Sequence, residues 1–60
     1  AAVQEAEDAT ARVGRGEPHV ELNPQGAYVR HLQHGIAEKL GLRSASTGRE
    51  TDRHVVIYRR

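Results

Sequence analysis

The run Val55-Val56-Ile57-Tyr58 is the longest unbroken apolar stretch in the chain, and it dictates what the remaining residues must do. Its apolar side chains occupy both parities, so His54–Tyr58 reads as the most buried strand, around which the other elements must be arranged. Four apolar residues are too few for a membrane span or for the apolar part of a signal peptide. Sixty residues allow one domain, 1–60. A chain of that size buries only about 60% of the surface its unfolded form exposes. The bulky apolar side chains are Val, Ile and Leu with two tyrosines, and Phe, Trp and Met are absent. The core must therefore be small and its stability marginal, and neither a deep ligand pocket nor an enclosed active site is expected.

The absence of cysteine removes disulfides, thiolate metal sites and cysteine nucleophiles, and fits a reducing compartment, with the cytoplasm as the expectation. The chain does not begin with methionine, which suggests a segment of a longer protein with adjacent domains. Charge is divided unevenly. Residues 1–21 carry two arginines against five carboxylates, a net −3, and residues 22–60 carry seven cations against three carboxylates, a net +4. The basic second part points to a polyanionic partner, although a solvated surface accounts for a charge of this size equally well.

Helical spacing of Val3, Ala6, Ala9 and Val13 predicts a first helix over about residues 2–13, stopped at Gly14-Arg15-Gly16. Its stripe is thin, so the helix needs docking to persist, and residues 1–17 form a leading helix and connector that could be an appendage to the core region, 18–60. The alternation His19-Val20-Glu21-Leu22 predicts a short strand. Asn23-Pro24 predicts a capped helix start, and Val29, Leu32, Ile36 and Leu40 then form one apolar stripe. Gly41 followed by Leu42 predicts a left-handed terminating turn. A strand from Leu42 to Thr47, a turn at Gly48–Asp52 and the last strand complete the order helix, strand, helix, strand, strand.

On a helical wheel with Val29 at zero, Leu32, Ile36 and Leu40 fall within about 60°, while Arg30 lies near 100° and His34 near 140°. Arg30 and His34 therefore stack one turn apart on the helix flank, beside small residues that leave room for a ligand. A guanidinium offers phosphate a planar fork of donors, and an imidazole adds a neutral donor or, below a pKa of about 6.5, a cation. Such a pair can hold a phosphodiester, yet an arginine and a histidine at this spacing also arise by chance on a wet helix face.

The wider pattern separates these readings. Leu22-x-Pro24, Ala27-Tyr28-x-Arg30-x-x-x-His34, Gly41-Leu42, Ser44-x-Ser46-x-Gly48 and Arg53-x-Val55-Val56-Ile57 together resemble the R-three-H family of small single-stranded nucleic-acid-binding domains. The likeness covers about residues 17–59 and is to the carboxy-terminal domain of bacterial Jag-type proteins, where it follows a KH domain. The resemblance implies an α+β fold, a three-stranded sheet with two helices packed on one face. It implies nucleic-acid contacts from Arg30 and His34, with Arg53, Ser44 and Ser46 also matching family positions, and a turn role for Gly48. His31 and Gly35 depart from the pattern where a basic residue and a glutamate are common, which bears on the strength of the basic surface and not on the fold.

Each residue has a plainer reading as well. Arg53 can pair with Asp52, and such exposed pairs contribute little. Ser44 and Ser46 can satisfy their own backbone, and Gly41 and Gly48 serve as turns. Tyr28 is expected to pack in the core or at its rim, and Tyr58 in or beside the sheet. The histidines have no acidic or thiol ligand at motif spacing, so neither a metal nor another cofactor is expected. The shortage of aromatics implies a grip mainly on phosphates, weak and salt-sensitive. The expected function is a non-catalytic module for single-stranded RNA or DNA, monomeric in isolation and not bound to membranes. The alternative is a protein-interaction or structural module docking through its first helix. A phosphodiesterase using His34 ranks behind both, because the histidine lacks an evident second acid-base group.

Overall fold

The computed structural model describes residues 1–60. Helix α1 spans Ala2–Gly14, strand β1 His19–Glu21, helix α2 Ala27–Lys39, strand β2 Arg43–Thr47 and strand β3 His54–Tyr58, with a single 3-10 turn at Glu50–Asp52. The fold is α+β, an antiparallel sheet of order β1-β3-β2 with both helices on one face. The central position of β3 follows from its apolar run. Val55 and Ile57 are fully buried under the helices, while Val56 and Tyr58, of opposite parity, are half-buried on the face that no helix covers. No helix is long and apolar enough to cross a membrane.

Helix α1 is no appendage. Ala6, Ala9 and Val13 enter the same core cluster as Val20, Leu22, Ala37, Val55 and Ile57. Gly16, with φ of 120°, ends the helical segment, and Arg12 reaches forward to clamp Glu17 through two bonds of 2.8 and 2.9 Å.

The predicted start of the second helix at Asn23-Pro24 is incorrect, because tertiary contacts claim those residues first. The backbone N–H of Asn23 and its Nδ2 both donate to Glu5 Oε2 from α1, at 3.0 and 2.8 Å. The flanking amides of Leu22 and Gln25 donate to the carbonyls of Val55 and Arg53, which keeps the segment extended beside β3. Helix α2 therefore begins three residues later, with Gly26 at the N-cap position and no capping side chain.

The inward face of α2 is also rotated from the predicted stripe. Gln33 and Ala37 are fully buried, Val29 and Ile36 are half-buried, and Leu32 and Leu40 are 37% and 61% exposed. On the wheel this is a turn of about 60° toward Arg30 and His34. The small Ala37, set opposite an alanine-rich α1, lets the helices approach closely, and Gln33 bridges them by donating Nε2 to the carbonyl of Ala2 at 3.3 Å. Tyr28 is consequently 74% exposed rather than packed in or beside the core. The end of α2 follows the local prediction. Gly41 has φ of 77°, its N–H donates to Glu38 O, and Leu42 N–H donates to Ala37 O, which together form a Schellman motif with Leu42 packed against the core.

Candidate nucleic-acid interface

The rotation of α2 turns His34 toward β2. Ser44 and Ser46 are two residues apart on that strand, so both side chains lie on its helix-facing side, about 6.7 Å apart along the chain. The imidazole lies between them, with Nδ1 2.6 Å from Ser44 Oγ and Nε2 2.8 Å from Ser46 Oγ. A hydroxyl can either donate or accept, so a neutral ring satisfies both contacts: its N–H donates to one serine, and its bare nitrogen accepts from the other. The serine that accepts keeps its own O–H free for an outside acceptor. Burial holds the His34 pKa below its usual value of 6.5, assisted by the positive charges of Arg30 and His31.

His54 shows the opposite case. Its ring faces two groups that can only accept, the Asp52 carbonyl 2.7 Å from Nδ1 and the Glu21 carboxylate 2.9 Å from Nε2. Both contacts are hydrogen bonds at once only when both nitrogens carry protons, so the charged form is favoured and the pKa is raised, first by the Asp52 carbonyl and then by Glu21. His54 braces β3 against β1 and does not reach the His34 cluster.

Arg30 and Arg53 meet at Gln25. Arg30 Nη1 donates to the Gln25 carbonyl at 2.7 Å, and the Gln25 N–H donates to the carbonyl of Arg53 at 3.4 Å. Arg53 Nη1 donates in turn to the carbonyl of Gly48 at 2.9 Å, bracing the turn between β2 and β3. The pairing of Arg53 with Asp52 that the sequence allows does not occur. Of eight arginines, only Arg12, Arg30 and Arg53 have hydrogen-bonded side chains, and only Arg30 and Arg53 are fixed by backbone carbonyls. Gly48 is the pivot of this brace. Its φ is 91°, and a Cβ there would lie 2.8 Å from the Asp52 carbonyl oxygen, so glycine is required.

The structure thus brings Arg30 and Arg53 together at Gln25, ties Arg53 to the turn between β2 and β3, sets His34 on Ser44 and Ser46 of β2, and places the turn glycines Gly41 and Gly48 at the two ends of β2. The sequence reading missed Gln25, which acts through its backbone and leaves no side-chain signal. It also missed the serine clasp, although two serines of one parity on a strand were its visible trace. His31 is exposed, and no three metal-capable side chains converge anywhere in the fold. A separate open cleft of about 490 Å³ runs beside α1, lined by Glu5, Asp8 and Glu21 together with Arg12, and its carboxylates suit no polyanion.

No curated protein matches the chain. The family model for the R-three-H domain matches residues 2–59, which extends the likeness back from residue 17 to take in α1. The Arg30-x-x-x-His34 pair, the two-helix, three-stranded fold and a match over almost the whole length agree: the chain belongs to the R-three-H domain family, whose members are nucleic-acid-binding modules.

Proposed function

We propose that this domain holds single-stranded RNA or DNA weakly by its backbone, with phosphates taken at the β2 side of the fold. The observation that supports this reading is that Arg30 and Arg53 are held in place by carbonyls and have no carboxylate partner. Each keeps most of its five N–H donors for an incoming phosphate. His34 acts through its serines: the neutral ring leaves one seryl O–H free to donate, and a protonated ring would donate to both serines and free two. No catalysis is assigned, because both His34 nitrogens are engaged and no second acid-base group faces them.

Two to four phosphates engaged in this way give a slope of log K against log salt of roughly −1.5 to −3 for single strands. Titration of a fluorescent oligonucleotide at several salt concentrations tests the assignment. Arg30→Ala with Arg53→Ala should weaken binding and reduce the slope by roughly 0.7 for each phosphate contact removed. Unchanged affinity and slope in a folded double variant would sink it. The likeness to Jag-type domains adds a second element to the proposal: in a longer parent chain, a linked binding module raises the effective concentration of the strand and compensates for the weak grip. Docking of a protein through the apolar stripe of α1 is disfavoured, because Ala6, Ala9 and Val13 are already buried in the core.

A further inference from the structure

Paired residues in an antiparallel sheet point to the same side, so the register defines what the uncovered face presents. One cross-strand row is His19, Tyr58 and Arg43, from β1, β3 and β2 in turn. The next is Glu21, Val56 and Ala45, and beyond it His54 stands opposite Thr47. Val20, Val55 and Ile57, of the other parity, are buried beneath the helices, in agreement with this assignment of faces. The bond between His54 and Glu21 is made on the uncovered side. Tyr58 is therefore a half-buried ring in the middle of an open sheet, with a cationic or ionisable side chain on either flank and Val56 beside it. None of the Tyr58 hydroxyl, the Arg43 guanidinium or the His19 ring has a hydrogen-bond partner in the fold.

We infer that this row is a base-stacking platform: one nucleobase lies on Tyr58, and Arg43 takes the adjoining phosphate. The inference deepens the proposed function and rests on it for the class of ligand. Charge complementarity favours a nucleic-acid strand over a protein segment, because Arg43 stands beside the ring without a carboxylate partner, while Glu21, the one carboxylate on this face, is already engaged by His54. Access is provided by β2. It is one of the two edge strands of the sheet, and its alternation places Ser44 and Ser46 on the helix-facing side and Arg43 and Ala45 on the platform side. A strand held at the first surface has only to cross that edge to reach the second. The platform also supplies stacking energy that the scarcity of aromatic residues argues against.

The test uses the intact chain, a single-stranded hexanucleotide of mixed sequence, and a strand with the same phosphates but abasic sugars. Stacking should move the Tyr58 ring protons upfield on titration and shift the amides of His19, Arg43 and Val56. Tyr58→Leu should weaken binding of the normal strand by roughly fivefold to hundredfold and leave the abasic strand unaffected, whereas Tyr58→Phe should retain most of the affinity. Equal effects of Tyr58→Leu on both strands, or no effect on either, overturn the platform, as does an absence of sheet-face shifts in the unmodified chain. Those last shifts do not depend on any variant folding. If Tyr58→Leu discriminates the two strands while Arg30→Ala with Arg53→Ala changes nothing, the platform stands and the phosphate site falls. If the converse holds, the phosphate site stands and the open face is left for a protein partner.

Discussion

Replacing Gln33 by methionine should stabilise the domain, although it removes a hydrogen bond. Gln33 is fully buried between the helices; Nε2 reaches the Ala2 carbonyl at a long 3.3 Å, and Oε1 has no partner at all. A sealed unpaired acceptor costs about 1–3 kcal/mol, whereas a bond of ordinary geometry contributes only about 0.5–1.5 kcal/mol net, and this one is longer than ordinary. Methionine has nearly the same length and no polar atom to satisfy, so the balance is a gain of about 1 kcal/mol. In a domain of 60–100 residues that is a rise in Tm of roughly 4–8 °C. Urea unfolding followed by circular dichroism should show a higher midpoint at unchanged slope. Leu32→Ala is the matched control. Its side chain is 37% exposed, so the loss should be about 1 kcal/mol or less, rather than the 2–5 kcal/mol typical of a core leucine. Strong destabilisation by both substitutions would refute the rotation of α2, and with it the geometry that turns His34 onto β2.

Three further outcomes follow from the same geometry. Gly48→Ala should destabilise by more than about 1–2 kcal/mol in the same unfolding assay, because φ of 91° and a Cβ 2.8 Å from the Asp52 oxygen offer no relaxed alternative. The His54 pKa is raised in the folded state, so its stabilisation is full below the unfolded value of about 6.5 and is lost as pH rises through the folded value; the ring-proton titration midpoint should lie above 6.5 and drop in Glu21→Gln. His34 is shifted the other way, so its contribution is present above about pH 6.5 and is lost as pH falls through the lowered folded value. Its ring-proton midpoint should lie below 6.5, rise when oligonucleotide is bound, and be accompanied by tighter binding in acid; a midpoint unmoved by oligonucleotide would contradict the role given to the serine clasp.

Features governed by neighbours in the chain were legible from the residues, and those governed by distant partners were not. Gly41-Leu42 announces a Schellman turn because its two bonds close within six residues, and His54–Tyr58 is bounded as its apolar run predicts. Asn23 misleads because Glu5, eighteen positions away, accepts from both its backbone N–H and its Nδ2 and so holds the residue in an extended segment, away from a helix start. Gln33 is invisible to any apolar count, since a polar residue at the centre of a buried face inverts the signal that such counts rely on. The candidate site shows the same division. Arg30 and His34 are readable as a spaced pair of suitable chemistry, but the occupation of His34 by Ser44 and Ser46 depends on a helix rotation set by the burial of Ala37 and Gln33.

The way an arginine is held decides whether its fork is pre-set and its charge left free. Arg12 is fixed by Glu17 through two bonds, and the carboxylate that orders it also cancels its charge, as the mutual shifts of the pair indicate, Arg12 upward and Glu17 downward. Arg30 and Arg53 are ordered by the carbonyls of Gln25 and Gly48 instead. A carbonyl fixes a guanidinium by one hydrogen bond and contributes no opposing unit charge, so the fork is pre-set and its charge stays available to phosphate. In a core this small, with few side chains to spare for support, backbone carbonyls provide that ordering from a turn and an extended segment the fold needs in any case. Gly48 then has two tasks, one conformational and one supportive, and a substitution there should disturb phosphate binding through Arg53 in addition to stability.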